Sequence, residues 1–258
     1  MQKRHTDRRQ YFEEQAYTCR KYYLPYIRQW MIDCIPLRIL EVGCGEGGNL
    51  LPFAELGCEV VGVDMAASRI EQARRFFKER GAHGTFIASD LFQLKELECR
   101  FDILICHDVI EHISDKARFL SELRRYLSPG GIAFVAFPAW QMPFGGHQQI
   151  APGFLSHIPF IHLLPTFAYG KLLKWCALPK DTQKELLEIK QTRCSIETFK
   201  ARLRATNYQV VDERLYFINP HYEVKFGLTP RRLCRFISQL PYIRNFFSTS
   251  CFYLLKPL

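Results

Sequence analysis

At 258 residues, with 48% hydrophobic and 24% charged side chains, the chain is long enough to bury a core and too apolar for a disordered or fibrous protein. A formal charge of +9 points to an anionic partner, whether nucleic acid, an acidic lipid surface or a phosphorylated substrate, without choosing among them. Ten cysteines with no CxxC pair argue against a zinc site, and their spread through apolar segments fits small core residues in a reducing, cytoplasmic compartment. The basic start MQKRHTDRRQYFEEQ lacks the apolar run of a secretory signal.

Residues 1–36 read as a helical segment that buries Tyr11, Phe12, Tyr22, Tyr23, Tyr26 and Trp30 among charges. Beyond Pro36 the pattern becomes strand, turn, helix, repeated. Strands are expected at 37–42, 58–64, 84–90, 101–108 and 131–138, and helices at 48–56, 68–80 and 115–127. This alternation predicts an α/β fold with a doubly wound, mostly parallel sheet. Ser195 and Thr198 open a further helix, followed by a sixth strand at about 208–217; SCFYLLKPL reads as a last strand.

Two segments fall outside this rhythm, 139–190 and 218–248, and both read as a helical or irregular cap on a single domain spanning 1–258. Residues 126–170 hold no Asp, Glu, Lys or Arg, but Pro138, Pro143, Pro152, Pro159 and Pro165 interrupt any membrane span. The uncharged stretch suits an apolar acceptor pocket, a lid or a cover for the core. Residues 231–247 mix four arginines with apolar positions at helical spacing. They read either as an interfacial helix on an anionic membrane or as an amphipathic helix docked on the sheet.

The segment ILEVGCGEGGNL, residues 39–50, joins a buried strand to a helix through a glycine-rich turn, where glycines let a ligand approach the backbone. Gly43, Gly45 and Gly48 also satisfy the GxGxxG spacing of a dinucleotide site, and Asp64 follows about twenty residues later. Two carboxylates separate the alternatives. Glu41 before the turn and Glu46 within it would repel a pyrophosphate but suit the ammonium and sulfonium cations of S-adenosylmethionine (SAM).

EVGCGEGG, VVGVDMA, IASDL, FDILICHDVIEHI and LRRYLSPGGIAFVAFP follow in order and resemble the successive motifs of class I SAM-dependent methyltransferases over residues 37–138. VIEHI and LSPGG are similar to the small-molecule branch that includes ubiquinone-pathway O-methyltransferases. The resemblance implies a Rossmann-like sheet of seven strands, the last antiparallel. It implies that Gly43, Cys44 and Gly45 wrap the methionine portion of SAM and that Glu41 holds the turn or reaches the ammonium. Asp64 would then bind the ribose hydroxyls and Met65 would pack on adenine. Asp90 and the Leu91 backbone would bind the exocyclic amine, and His107 would offer its backbone to the methionine end.

Methyl transfer from a sulfonium gains most from holding the acceptor near the methyl carbon, and a hydroxyl acceptor gains further from a base. His147, after two glycines beyond the fifth strand, and His112, after the fourth, are the candidate bases; no metal-ligand cluster is expected from the spacing. His157 and His162 read as core histidines. The expected activity is SAM-dependent methylation of a small or lipid-linked acceptor at a hydroxyl, in the cytoplasm, with a possible peripheral contact at an anionic membrane. The alternatives are an RNA methyltransferase and a catalytically silent SAM-binding protein. Against the first stand HDVIEH after the fourth strand, where an Asn/Asp-Pro-Pro-aromatic sequence would be needed, and the lack of a Pro-Cys nucleophile.

Overall fold

The computed structural model describes residues 7–30 and 36–258; residues 1–6 and 31–35 of the expected helical segment 1–36 lie outside the described residues. Eight strands among them form one sheet. They are β1 (Arg38–Val42), β2 (Glu59–Asp64), β3 (Thr85–Ala88), β4 (Phe101–His107), β5 (Leu127–Phe137), β6 (Tyr208–Ile218), β7 (Arg231–Arg232) and β8 (Ser250–Pro257). The order is β3-β2-β1-β4-β5-β8-β6-β7. Neighbours among β1 to β5 are parallel, and β8 enters antiparallel between β5 and β6, as the fold class requires. The strand beyond the expected seven is the two-residue β7, an edge ribbon on β6.

The central strands are buried on both faces, and strict alternation decides which core each residue joins. Leu104 and Cys106 of β4, with Ala133, Val135 and Phe137 of β5, pack under helices Lys116–Tyr126 and Ile196–Ala205. Ile103, Ile105, Ile132, Phe134 and Ala136 face the other way, onto the N-terminal helix and helix Ala67–Glu79. The Asp115 and Ser195 side chains cap the first pair of helices by accepting from Arg118 N and Thr198 N.

The N-terminal segment is helical over Arg8–Thr18, Cys19–Tyr23 and Leu24–Arg28, but its middle is a π turn in which Leu24 N donates to Cys19 O. Pro25 accounts for it, since its ring cannot sit within an unperturbed helix. The helix expected at 48–56 is confined to Leu51–Glu55.

Segment 139–190 folds as three short 3₁₀ turns followed by helices Thr166–Trp175 and Lys180–Thr192, with a small core of its own around Leu155, Tyr169, Leu173 and Leu186. Two buried lysines fasten it. Lys190 Nζ donates to His162 O at 2.7 Å and Leu164 O at 2.8 Å, while Lys116 Nζ donates to Ile113 O and Thr192 O.

Segment 218–248 behaves differently from the expectation. Helix His221–Phe226 joins the N-terminal helix, through Thr18 Oγ1 to His221 Nδ1 at 3.0 Å and Lys21 to Glu223 at 2.7 Å. The continuous helix expected at 231–247 is absent. Arg231–Arg232 pairs with β6, Arg235–Ser238 makes one turn, and Pro241 separates it from the 3₁₀ turn Ile243–Phe246. The end of this segment does meet the first cap segment. Ala139 N donates to Ser248 O, and the Phe160 and Phe246 rings lie 6.4 Å apart, beside the carboxyl end of β5. No helix among the described residues is long and apolar enough to cross a membrane.

Gly48 shows how the N-terminal helix is seated. A Cβ there would stand 2.5 Å from Phe12 O and 2.6 Å from Gln15 Cβ, so the last glycine of the turn makes room for the helix. Gly48→Ala is expected to cost about 1–3 kcal/mol by overpacking. Urea denaturation checks this; an unchanged midpoint would show that the helix does not bear on the turn.

Candidate active site

β1 and β4 run parallel and adjacent, so the loops after Val42 and His107 open at the same end of the sheet. Gly43 and Gly45 have φ of +71° and +52°, which only glycine adopts without strain. Apart from its chain neighbours, no atom of the described residues lies within 4 Å of where a Gly45 Cβ would stand, leaving that backbone open to a ligand. Asp64, at the end of β2, fixes the turn from below. Its carboxylate accepts from Gly45 N at 2.9 Å and from Ala66 N at 2.8 Å, while Gly43 N and Cys44 N donate to Val63 O.

The lining is acidic and short of donors. Glu41 is buried and accepts from Asn49 Nδ2 at 2.7 Å; Glu46 is fully buried and accepts from Arg8 Nε at 2.5 Å. Glu41 Oε2, Glu46 Oε2 and Asn49 Oδ1 are each buried without a hydrogen-bond partner among the described residues. Burial pushes the Glu41 carboxyl up to about 8, against the Asn49 hydrogen bond and with the help of Asp64. Such a set of bare acceptors is costly unless a donor-rich cation can occupy it.

Of the other expected residues, Met65 is 79% exposed, beside the turn. Asp90 caps the 3₁₀ turn Leu91–Gln93 by accepting from Phe92 N at 3.1 Å, and Leu91 is buried with its carbonyl accepting from Tyr126 Oη. The His107 ring turns toward the N-terminal helix, with Nε2 2.9 Å from Tyr23 Oη.

A second cluster gathers beyond β4. Glu111 and His112 sit in the 3₁₀ turn Ile110–His112, and His147 follows Gly145 and Gly146 in the left-handed conformation, φ +55°. Flexibility is not what those glycines provide. A Cβ at Gly145 would collide with Trp140 O, and one at Gly146 with the His162 side chain, so both permit close packing that seats His147 firmly. The His112 and His147 rings lie perpendicular with centroids 5.0 Å apart, and each Nε2 is 3.9 Å from Glu111 Oε1. The two candidate bases therefore share one site.

The spacing pointed to no metal-ligand cluster, yet the fold brings three possible ligands together. The ligand atoms of Glu111, His112 and His147 all lie within 4.8 Å of one another, a grouping hidden in sequence because His147 is remote. Neither Glu111 oxygen has a hydrogen-bond partner among the described residues; burial and the nearby Asp108 push its carboxyl well above the ordinary range. Burial lowers both histidines, His147 to about 3, which leaves two neutral imidazoles at pH 7. His162 is a buried histidine bonded to Trp140 O at 2.8 Å, but His157 lies exposed.

The family described as "Methyltransferase domain" matches residues 39–131. Over 100 residues the chain is 40% identical to a ubiquinone biosynthesis O-methyltransferase from Chelativorans sp., a stretch covering 39% of this chain and 40% of that protein. It is 37% identical over 152 residues to the protein of the same name from Mesorhizobium japonicum, covering 58% and 57%. The chain thus spans about half the length of the curated relatives it matches. The fold matches a SAM-dependent methyltransferase from Clostridium acetobutylicum with a TM-score of 0.57 at 10% identity, over 93% of this chain and 91% of that one. Residues 39–131 thus match a methyltransferase domain, and the sheet has the same fold as that solved structure.

The sequence pattern pointed to no role for Glu111, Asn49 or Arg8, and to no more than a buried position for Tyr23. Glu111 had a signal, a carboxylate within the apolar run VIEHI directly after a strand; the others had none, since each acquires its partner through tertiary contact. Because the folded pKa of Glu111 is raised, ionising it destabilises the fold. That penalty is absent below the ordinary carboxyl range, grows as pH rises through it and is complete above the folded pKa. Glu111→Gln is therefore expected to melt above the wild type at pH 7, with the gap closing near pH 4. Calorimetric melting across this range is the check, and a Gln variant less stable at pH 7 would give the carboxylate a structural partner.

Proposed function

We propose that the chain transfers the methyl group of SAM to a hydroxyl oxygen of a small or lipid-linked acceptor. The observation that carries this reading is the pairing, at one end of one sheet, of a donor-poor glycine turn with the Glu111, His112 and His147 cluster. The unpaired oxygens of Glu41, Glu46 and Asn49 suit an ammonium and oppose a pyrophosphate. SAM supplies the activated methyl group. The backbone of Gly43, Cys44 and Gly45 would hold its methionine portion and Asp64, with lone pairs left after its two backbone contacts, the ribose hydroxyls. Met65 would cover the adenine, Asp90 and Leu91 N would meet its amine, and the His107 backbone would border the methionine end.

Oxygen as the acceptor atom follows the names of the relatives, which are O-methyltransferases of ubiquinone biosynthesis. His147, neutral at pH 7, is placed to accept the hydroxyl proton, Glu111 stands 3.9 Å from its Nε2, and His112 borders the same space. A second reading has its own observation. The same three ligand atoms would hold a divalent cation, which would polarise the hydroxyl in place of a base. The nucleic-acid alternative has no comparable support.

The exposed Phe167, Trp175, Phe236 and Tyr242 of the two cap segments, with a net charge of +9, support a peripheral contact with an anionic membrane surface near the acceptor. Flotation with anionic vesicles at low salt should carry the chain, and salt should release it. Binding equal on neutral and anionic vesicles, or none at all, contradicts this part.

With a phenolic acceptor, His147→Ala is expected to lower turnover about a hundredfold to ten-thousandfold while SAM affinity stays within about twofold. Turnover unchanged in the variant removes His147 as the base. Loss of activity to a chelator, restored by a divalent cation, would place the cation reading ahead.

A further inference from the structure

The ion pair between Arg8 and Glu46 is built in an unusual way for a structural salt bridge. Arg8 Nε and Nη2 both meet the same oxygen, Glu46 Oε1, so Oε2 stays buried and bare. Glu46 has no exposed side-chain surface, whereas Arg8 keeps 25% of its own. A carboxylate this deep is strongly destabilising when its cation leaves, so whatever draws Arg8 away must bring a positive charge to replace it. Arg8 opens helix Arg8–Thr18, which Asp7 caps and which rests on the glycine turn through the missing Cβ of Gly48. The guanidinium also lies 5.0 Å from the Tyr11 ring, which holds it beside the turn.

We infer that Arg8 is a donor-binding residue: the Arg8 and Glu46 pair receives the α-amino acid end of SAM, ammonium on Glu46 and carboxylate on Arg8. The inference rests on the SAM reading given above. An α-amino acid is itself a pair of opposite charges a few bonds apart, so it can enter an ion pair without leaving either member uncompensated. The planar guanidinium presents a fork that matches a carboxylate, and the bare Glu46 Oε2 presents an acceptor for an ammonium proton. The N-terminal helix is on this account a wall of the donor site, outside the matched methyltransferase segment 39–131.

Two nucleosides separate this from a packing role. S-adenosylhomocysteine carries the amino acid end, and 5′-methylthioadenosine keeps the adenosine and sulfur without it. Calorimetric titration of both into wild type, Arg8→Met, Arg8→Lys and Glu46→Gln is the experiment. Arg8→Met should weaken S-adenosylhomocysteine about 10- to 100-fold, the ratio expected for one lost charge-assisted contact, and leave methylthioadenosine within about twofold. Arg8→Lys should recover part of the loss, and Glu46→Gln should follow Arg8→Met. Equal weakening of both ligands, or S-adenosylhomocysteine affinity unchanged, overturns the inference. If Arg8→Met fails to fold, the ligand pair read on Arg8→Lys decides by the same criterion, since its weaker fork should still cost only S-adenosylhomocysteine. Wild-type protein that binds neither nucleoside would instead remove the SAM reading itself.

Discussion

The Asp64 carboxylate ties the end of β2 to the turn after β1, and the rest of the site is arranged around that tie. By accepting from Gly45 N and Ala66 N it fixes two loops that only a parallel sheet brings to the same edge. With the turn fixed, Gly43 and Gly45 keep their positive φ, Asn49 reaches Glu41, and Gly48 offers the flat spot on which the N-terminal helix lies. Without it the acidic residues would have no common floor.

The second constraint is electrostatic. Two groups of buried acids, Glu41 with Glu46 and Glu111 beside its histidines, carry oxygens without donors. Packing alone would favour their replacement by apolar side chains, because each bare oxygen costs free energy in the empty protein. They gather at one end of the sheet, above strands whose other buried residues are largely apolar, where the proposed binding and chemistry would offset that cost.

Much of the fold could be read from the chain. The strands β1 to β5 each announced themselves by apolar runs ending in turn residues, and the acidic glycine turn already argued against a pyrophosphate. Helical spacing misled at 231–247, where Pro241 and pairing of Arg231 and Arg232 with β6 broke the pattern into pieces. The histidines were visible as candidates, but their convergence on Glu111 was not, since His147 reaches it only through the tight packing of Gly145 and Gly146. Arg8 carried no pattern at all; only the depth of Glu46 gives it meaning.

Native mass spectrometry of the purified chain tests the central claim most directly. The account predicts a bound mass of SAM or S-adenosylhomocysteine, either retained through purification or acquired on adding the compound, and lost in Asp64→Ala. Acquisition of NAD in its place, or no nucleoside adduct from either compound, would contradict it.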